Sequence, residues 1–273
     1  MYLSRLPALR ISRAVIRAMG ASAFVVGLAS APVRAAEFEY PEEATSWGLG
    51  IGAASSQDPY TNIDRESDAL PLIYYENTYV EVFGPTVEFK LPGLRISDAQ
   101  RFNFSIVATY DESGYEEGDA RILDGMDDRD GGFWAGAKVE WENEVVNVSA
   151  EWLVDASGDS EGQQASLGLE RTWEFGEHIM LTPWVAATWL DKDYVDYYFG
   201  VRDSEARFDR PTYDGKSTVN TEIGVRGTYM FDQRHSVFLD LEAVRLGSEI
   251  KDSPLVDRST ANQVVFGYLY RFE

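Results

Sequence analysis

Few residues in this chain could do covalent or metal chemistry. It has two histidines, His178 and His235, and no cysteine. That excludes a thiol nucleophile, a disulfide framework and a cysteine-ligated metal. A serine hydrolase needs a histidine within reach of its serine. Ser236 follows His235 directly, and neighbours on a strand point to opposite faces. The two histidines fall beside different turns, without the spacing of a metal pair. The acidic run Asp111, Glu112, Glu116, Glu117, Asp119, Asp124, Asp127, Asp128 and Asp130 is dense enough to attract Ca²⁺ or Mg²⁺. It does not fit an EF-hand loop, because Met126 stands where an aspartate is required. It reads first as a solvated surface loop, and second as a recruiter of divalent ions bridging to lipopolysaccharide phosphates. No catalytic, cofactor-binding or metal-ligating residue is expected, and the chain reads as a non-enzyme.

Two other groups of side chains point to function. Tyr194, Tyr197, Tyr198 and Phe199 form an aromatic cluster too dense for a plain solvated loop. It reads either as a partner or ligand surface or as a segment folded into a barrel mouth as a plug. Asp252-Ser253-Pro254 reads as a turn packed on the same plug. The second group is a set of charges at alternate positions: Lys138, Glu140, Glu142, Glu151, Glu170, Glu222, Arg226, Asp240, Glu242 and Arg271. If these line an open lumen, the acidic excess predicts a preference for cations.

The elements that must hold them alternate with a period of two. Phe133, Ala135, Ala137, Val139 and Trp141 oppose Gly136, Lys138, Glu140 and Glu142. Val146, Val148, Ala150, Trp152 and Val154 oppose Asn147, Ser149 and Glu151. The same pattern recurs over 102–110, 164–173, 179–189, 219–229, 237–243 and 264–272. Segments of about ten residues suit tilted membrane-spanning strands. The connections alternate in length. Those at 143–144, 175–177 and 231–234 are short; those at 111–131, 155–162, 190–216 and 247–261 are long. Short periplasmic turns and long extracellular loops are the outer-membrane arrangement. Outward Trp141, Trp152, Trp173 and Trp189 near strand ends suit interfacial girdles, or ordinary sheet packing.

The expected fold is therefore an all-β, antiparallel, up-and-down transmembrane barrel of about 12 strands. Eight follow Phe102, and 46–55 and 69–76 form an earlier pair. Over 78–91 the apolar phase slips at Gly84-Pro85, from Val80 and Val82 to Val87, Phe89 and Leu91. A turn there gives twelve strands; a bulge within one strand gives eleven. A continuous 69–84 gives ten.

Residues 1–35 read as a signal peptide. Arg5, Arg10, Arg13 and Arg17 precede the apolar stretch Ala18 to Ala31, and Val33-Arg34-Ala35 offers a cleavage site. The apolar run is shorter than the ~20 residues of a spanning helix. Five of the 24 basic residues lie in this segment, leaving 19 against 46 acids, a net charge of −27 for residues 36–273. That excess argues against nucleic-acid partners.

Several stretches resemble the MipA/OmpV family, in order along nearly the whole of 36–273. They are Trp47-Gly48-Leu49-Gly50, Asp58-Pro59-Tyr60, the run Leu70 to Glu76, and Asp193-Tyr194 with Asp196 to Val201. The run Leu246 to Asp257 and the closing Gly267 to Phe272 complete the set. Tyr60 is followed by Thr61-Asn62 without the glycine many relatives have, and Glu273 stands beyond the terminal aromatic Phe272. The resemblance implies an outer-membrane barrel inserted by the barrel-assembly machinery among outer-membrane lipid and lipopolysaccharide. It also implies a scaffold joining a murein-degrading lytic transglycosylase to a bifunctional penicillin-binding protein. Pore-like and adhesive roles are discussed for other members. The expectation is a non-enzymatic scaffold, with a small cation-preferring channel and a surface adhesin as alternatives.

Overall fold

The computed structural model describes the backbone of residues 37–39 and both backbone and side chains of 45–97 and 99–272. The expected signal peptide and its cleavage site lie outside these residues.

Among the described residues, fourteen strands form one antiparallel sheet. They are β1 (Glu37–Glu39), β2 (Ser46–Gln57), β3 (Glu66–Glu76), β4 (Val80–Phe83), β5 (Thr86–Ser97), β6 (Gln100–Asp111) and β7 (Gly132–Asn143). After these come β8 (Asn147–Asp155), β9 (Gln163–Glu170), β10 (Trp173–Phe175), β11 (Ile179–Leu190), β12 (Thr218–Met230), β13 (His235–Arg245) and β14 (Thr260–Phe272). Twelve of them close into a barrel: β14 pairs β2, and β5 pairs β6. β1 adds to β5 outside this ring, and β10 pairs only β11. Closure removes most of the exposed edge an open sheet would carry.

The phase slip is a turn. Gly84 and Pro85 link β4 to β5, with Phe83 opposite Thr86. Gly84 has φ +58. A left-handed first residue followed by proline's fixed negative φ is the sign pattern of a type II′ hairpin, and glycine adopts it without a Cβ penalty. The barrel therefore has twelve strands; neither the eleven- nor the ten-strand reading is observed.

Prolines inside strands sit where the ladder is broken, because proline has no N–H to give. The Pro183 carbonyl accepts from the Arg171 N–H, in the gap between β9 and β10. Pro92 lies within the register shift between Leu91 and Leu94.

The outward face is apolar. Leu49, Ile51, Phe89, Ile106, Trp152, Leu167, Val185, Ile223, Leu239 and Phe266 are all exposed. Towards the strand ends stand Trp173, Phe175, Tyr229, Phe231 and the stacked pair Trp47–Phe272. Trp134 is instead fully buried, on the inward face with Lys138 and Glu140, and Trp184 shares the inward parity of Glu170. Among the described residues no helix is long and apolar enough to cross a membrane; a closed ring of strands with an apolar outer face is the other structure that can.

The long connections carry helix α1 (Lys192–Phe199) and helix α2 (Ser248–Lys251). Asp191 caps α1 by accepting from the Tyr194 N–H. Its buried face is Val195, Tyr198 and Phe199. The largest buried cluster lies in this layer rather than in the barrel. It joins Tyr60 and Ile63, Tyr115, Ile122, Leu123 and Met126, then α1, and Leu246, Ile250 and Leu255. Four loops thus share one apolar core.

Candidate functional site: a capped, charge-lined barrel

The cap is held by long-range polar contacts as well as by its core. Arg129 is almost fully buried and donates through Nη2 to both carboxylate oxygens of Glu205, at 2.8 and 3.0 Å. Its Nε donates to the Tyr197 carbonyl, and its guanidinium lies 5.8 Å from the Tyr115 ring centroid and 5.7 Å from that of Tyr197. Glu205 also accepts from the N–H groups of Asp127 and Arg202. Burial pushes the Glu205 carboxyl up. The Arg202 N–H, the Arg129 guanidinium and the Asp127 N–H outweigh that and hold it below its ordinary range. Arg210, also buried, donates to the carbonyls of Ile122, Asp124 and Glu205.

The aromatic cluster lies inside this cap. Tyr198 is buried, and its carbonyl accepts from the Tyr60 hydroxyl at 3.1 Å. Phe199 stacks on Tyr60. The Tyr197 hydroxyl accepts from the Asp130 N–H. Tyr194 packs on inward Trp134, with ring centroids 5.7 Å apart. Asp252 ends α2, and Ser253 donates its hydroxyl to the Phe199 carbonyl at 2.7 Å. Pro254 is half-buried beside Leu255, which is fully buried. Burial and the neighbouring Glu249 push the Tyr213 phenol up to about 12.

The acidic loop spends several of its carboxylates on its own backbone. Asp111 accepts from Ser113, Asp119 from Glu116, Asp128 from Glu117, and Glu117 from Gly125. Asp127 pairs with Arg202. Among the described residues, no group of three or more histidines and acids is arranged to hold a metal.

Below the cap, the inward face carries a charge network. Lys138 pairs with Glu88 at 2.9 Å and with Glu140 at 2.7 Å. Glu151 faces Lys138 across β7–β8. Lys90 pairs with Glu76 and, at 3.5 Å, with Glu81. Glu142 accepts from Asn103, Glu222 from Thr188, and Glu170 has Asn147 as a partner. Arg226 pairs with Asp240, and Glu242 lies opposite Gly224 and Gln263. Arg271 sits 5.5 Å from the Tyr74 ring centroid. Around β2, β3 and β14 the inner wall changes character. Ala54, Leu70, Leu72, Val265 and Leu269 are buried together, with Tyr74 and Phe238 packed on them.

Sequence reasoning missed Glu76, Glu81, Glu88 and Lys90. The signal was there: once Gly84-Pro85 is taken as a turn, outward Val87, Phe89 and Leu91 force Glu88 and Lys90 inward. The Arg129–Glu205 pair was missed without any comparable local signal.

The other end is built from short turns. The His178 ring nitrogen Nδ1 lies 2.7 Å from the Met230 carbonyl, and that of His235 2.6 Å from the Tyr268 hydroxyl. The N–H groups of Arg234 and His235 hold the Asp232 carboxyl below its ordinary range. The β10–β11 hairpin exposes Trp173, Phe175 and Ile179.

A closed antiparallel barrel with an apolar outer band, a charged inner face and long loops gathered at one end defines an outer-membrane β-barrel protein. The profile of the family described as MltA-interacting protein MipA matches residues 49–272, and the chain belongs to that family. The putative outer membrane protein YiaT of Escherichia coli K12 is 25% identical over 232 residues, covering 84% of this chain and 92% of its own. The MltA-interacting protein of the same strain is 23% identical over 231 residues, covering 83% and 90%. Among solved structures, an outer membrane channel from Pseudomonas putida F1 aligns with a TM-score of 0.46 at 13% identity, over 86% of this chain and 98% of that one. The chain is an outer-membrane protein of the MipA family.

Proposed function

We propose that this barrel is a non-enzymatic anchor in the outer membrane that holds peptidoglycan-remodelling enzymes at its periplasmic rim. The observation that carries the reading is the asymmetry of the two ends. The outer mouth is occupied by a packed four-loop cap, while the periplasmic end is short turns plus the exposed β10–β11 hairpin. Fifteen buried apolar residues knit the loops of the outer end into one packed layer. The relative named for interaction with MltA supports murein enzymes as the partners. Trp173 and Phe175, with Ile179 beside them, offer an exposed aromatic and aliphatic patch of the kind that anchors interfaces.

The test uses the barrel in lipid nanodiscs, with a purified lytic transglycosylase and a bifunctional penicillin-binding protein as analytes. Saturable binding that falls at least tenfold when residues 173–179 are replaced by a two-residue turn supports the reading. No binding of either enzyme refutes it.

A second reading, a cation-preferring passage, is favoured by the inner charges. Carboxylates of β3, β4, β5 and β7 outnumber Lys90 and Lys138 in the network described above. Planar-bilayer reversal potentials under a salt gradient test it, and the absence of any conductance would end it.

A further inference from the structure

Among the described residues, the barrel wall is lower on one side. β4 has four residues, whereas its neighbours β3 and β5 have 11 and 12. The β3–β4 ladder stops at Tyr74–Phe83. The last contact beyond it is the Gly84 N–H donating to the Ile73 carbonyl. On the far side, the Tyr110 N–H donates to the Pro85 carbonyl, near the top of β6. The β4–β5 turn is thus level with Ile73, while β3 runs on to Glu66. Beyond Ile73, at Ser67, Ala69 and Pro71, the β3 ladder among the described residues runs to β2.

The edge left open has a definite polarity. Because the Ile73 carbonyl points to the β4 side, so do the backbone groups of Pro71, Ala69 and Ser67, by the period of two. Pro71 places its missing N–H on that edge, as expected where no strand pairs. In hydrocarbon, an unpaired backbone polar group costs several kcal/mol. Irregular or unpaired backbone at membrane depth persists only where it lines a water-filled opening or is covered by protein.

Two further observations fix what such an opening would serve. The inner wall beside it is the apolar sector, Leu70 and Leu72 with Tyr74 and Phe238, rather than the charged one. Above it lies the loop layer with its own apolar core. We propose that the notch above the β4–β5 turn is a lateral portal, by which small apolar molecules pass between the barrel interior and the outer leaflet. This goes beyond the anchor reading and does not depend on it.

The test is photolabelling of the purified barrel in lipid nanodiscs with an uncharged, diazirine-bearing naphthalene probe, mapped by peptide mass spectrometry. The comparison is a variant whose β4–β5 hairpin is lengthened by four residues on each side of Gly84-Pro85. The portal predicts labels on inward Leu70, Leu72, Tyr74 or Phe238, reduced at least tenfold in the lengthened variant. Labels confined to outward residues in the unmodified barrel would overturn it. Equal inward labelling of both proteins would also overturn it, since the route would lie elsewhere. Should the lengthened hairpin prevent folding, as judged by loss of heat-modifiable migration, Ser67→Trp with Ala69→Trp fills the notch without altering the turn, with the same tenfold criterion. The chain has no cysteine, so Ala69→Cys reports on the competing occupant. Quantitative disulfide-linked dimers in native membranes would show the edge covered by a second copy, and would overturn the portal.

Discussion

Replacing Glu205 by alanine removes one partner of an ion pair whose side chains are 1% and 2% exposed. Breaking such a buried pair costs about 3–5 kcal/mol, because the remaining charge is left without its counterion. Arg129 keeps the carbonyls of Tyr197 and Asp127 and the two tyrosine rings. The lower end, about 3 kcal/mol, is therefore the expected loss. It falls on the cap, because both residues lie outside the twelve barrel strands. At 1.4 kcal/mol per decade, cap opening becomes about 100-fold more frequent. Hydrogen exchange on the folded barrel reads this directly. Amides of Tyr115, Leu123, Val195 and Val201 should lose about two decades of protection, while those of β7, β11 and β13 stay unchanged. A loss below threefold in the cap, or equal losses in cap and strands, would refute the reasoning. The same pair sets a pH dependence. The folded-state pKa of Glu205 lies below its ordinary 4.5. Its contribution is therefore complete above about pH 4.5 and is lost as pH falls through the lower folded value. Cap protection should be flat from pH 7 to pH 5 and fall below pH 4, and the decline should be absent in Glu205→Ala.

Further outcomes follow from the wall and the interior. Lys138→Met leaves Glu88 and Glu140 without their cation and should lower barrel stability in urea by about 2–3 kcal/mol, discounted for residual lumen water; an unchanged midpoint would contradict the network. Gly84→Val imposes a side chain at φ +58 and should cost about 1–2 kcal/mol, measured by the same unfolding; a neutral result would mean the turn has another conformation. Trp152→Arg, on the outward face of β8, should cost about 2–4 kcal/mol on folding into lipid vesicles, yet leave folding in detergent less affected.

Much of the barrel was legible because a half-buried strand repeats its signal every second residue. The alternation around Lys138, Glu140 and Glu151 defined both faces of β7 and β8. Where the alternation is interrupted, the faces of the strand are no longer defined. Val80 and Val82 against Val87 and Phe89 showed a slip, and the side chains of β4 and β5 went unassigned with it. Helix α1 lies inside a segment whose length and polarity suggest a loop, although Asp191 followed by Val195, Tyr198 and Phe199 carries both an N-cap and a helical spacing. The cap's ionic core was beyond a local reading. Arg129 lies in an acidic run and Glu205 in a polar loop, and each resembles a solvated surface charge until distant segments fold together. The lateral notch depends on comparing the length of one strand with that of its neighbours, which no periodicity within β4 contains.

The central claim is a strand-built membrane crossing with one face to lipid and the other to a polar interior. Single-cysteine scanning of Phe133–Asn143 in native outer membranes tests it most directly, as the chain has no cysteine of its own. The account predicts that Ala135→Cys, Ala137→Cys and Val139→Cys react with a lipid-soluble maleimide. Lys138→Cys, Glu140→Cys and Glu142→Cys should react instead with a small water-soluble thiosulfonate. Uniform labelling along the segment, or water access at Ala137 and Val139 equal to that at Lys138 and Glu140, would contradict it.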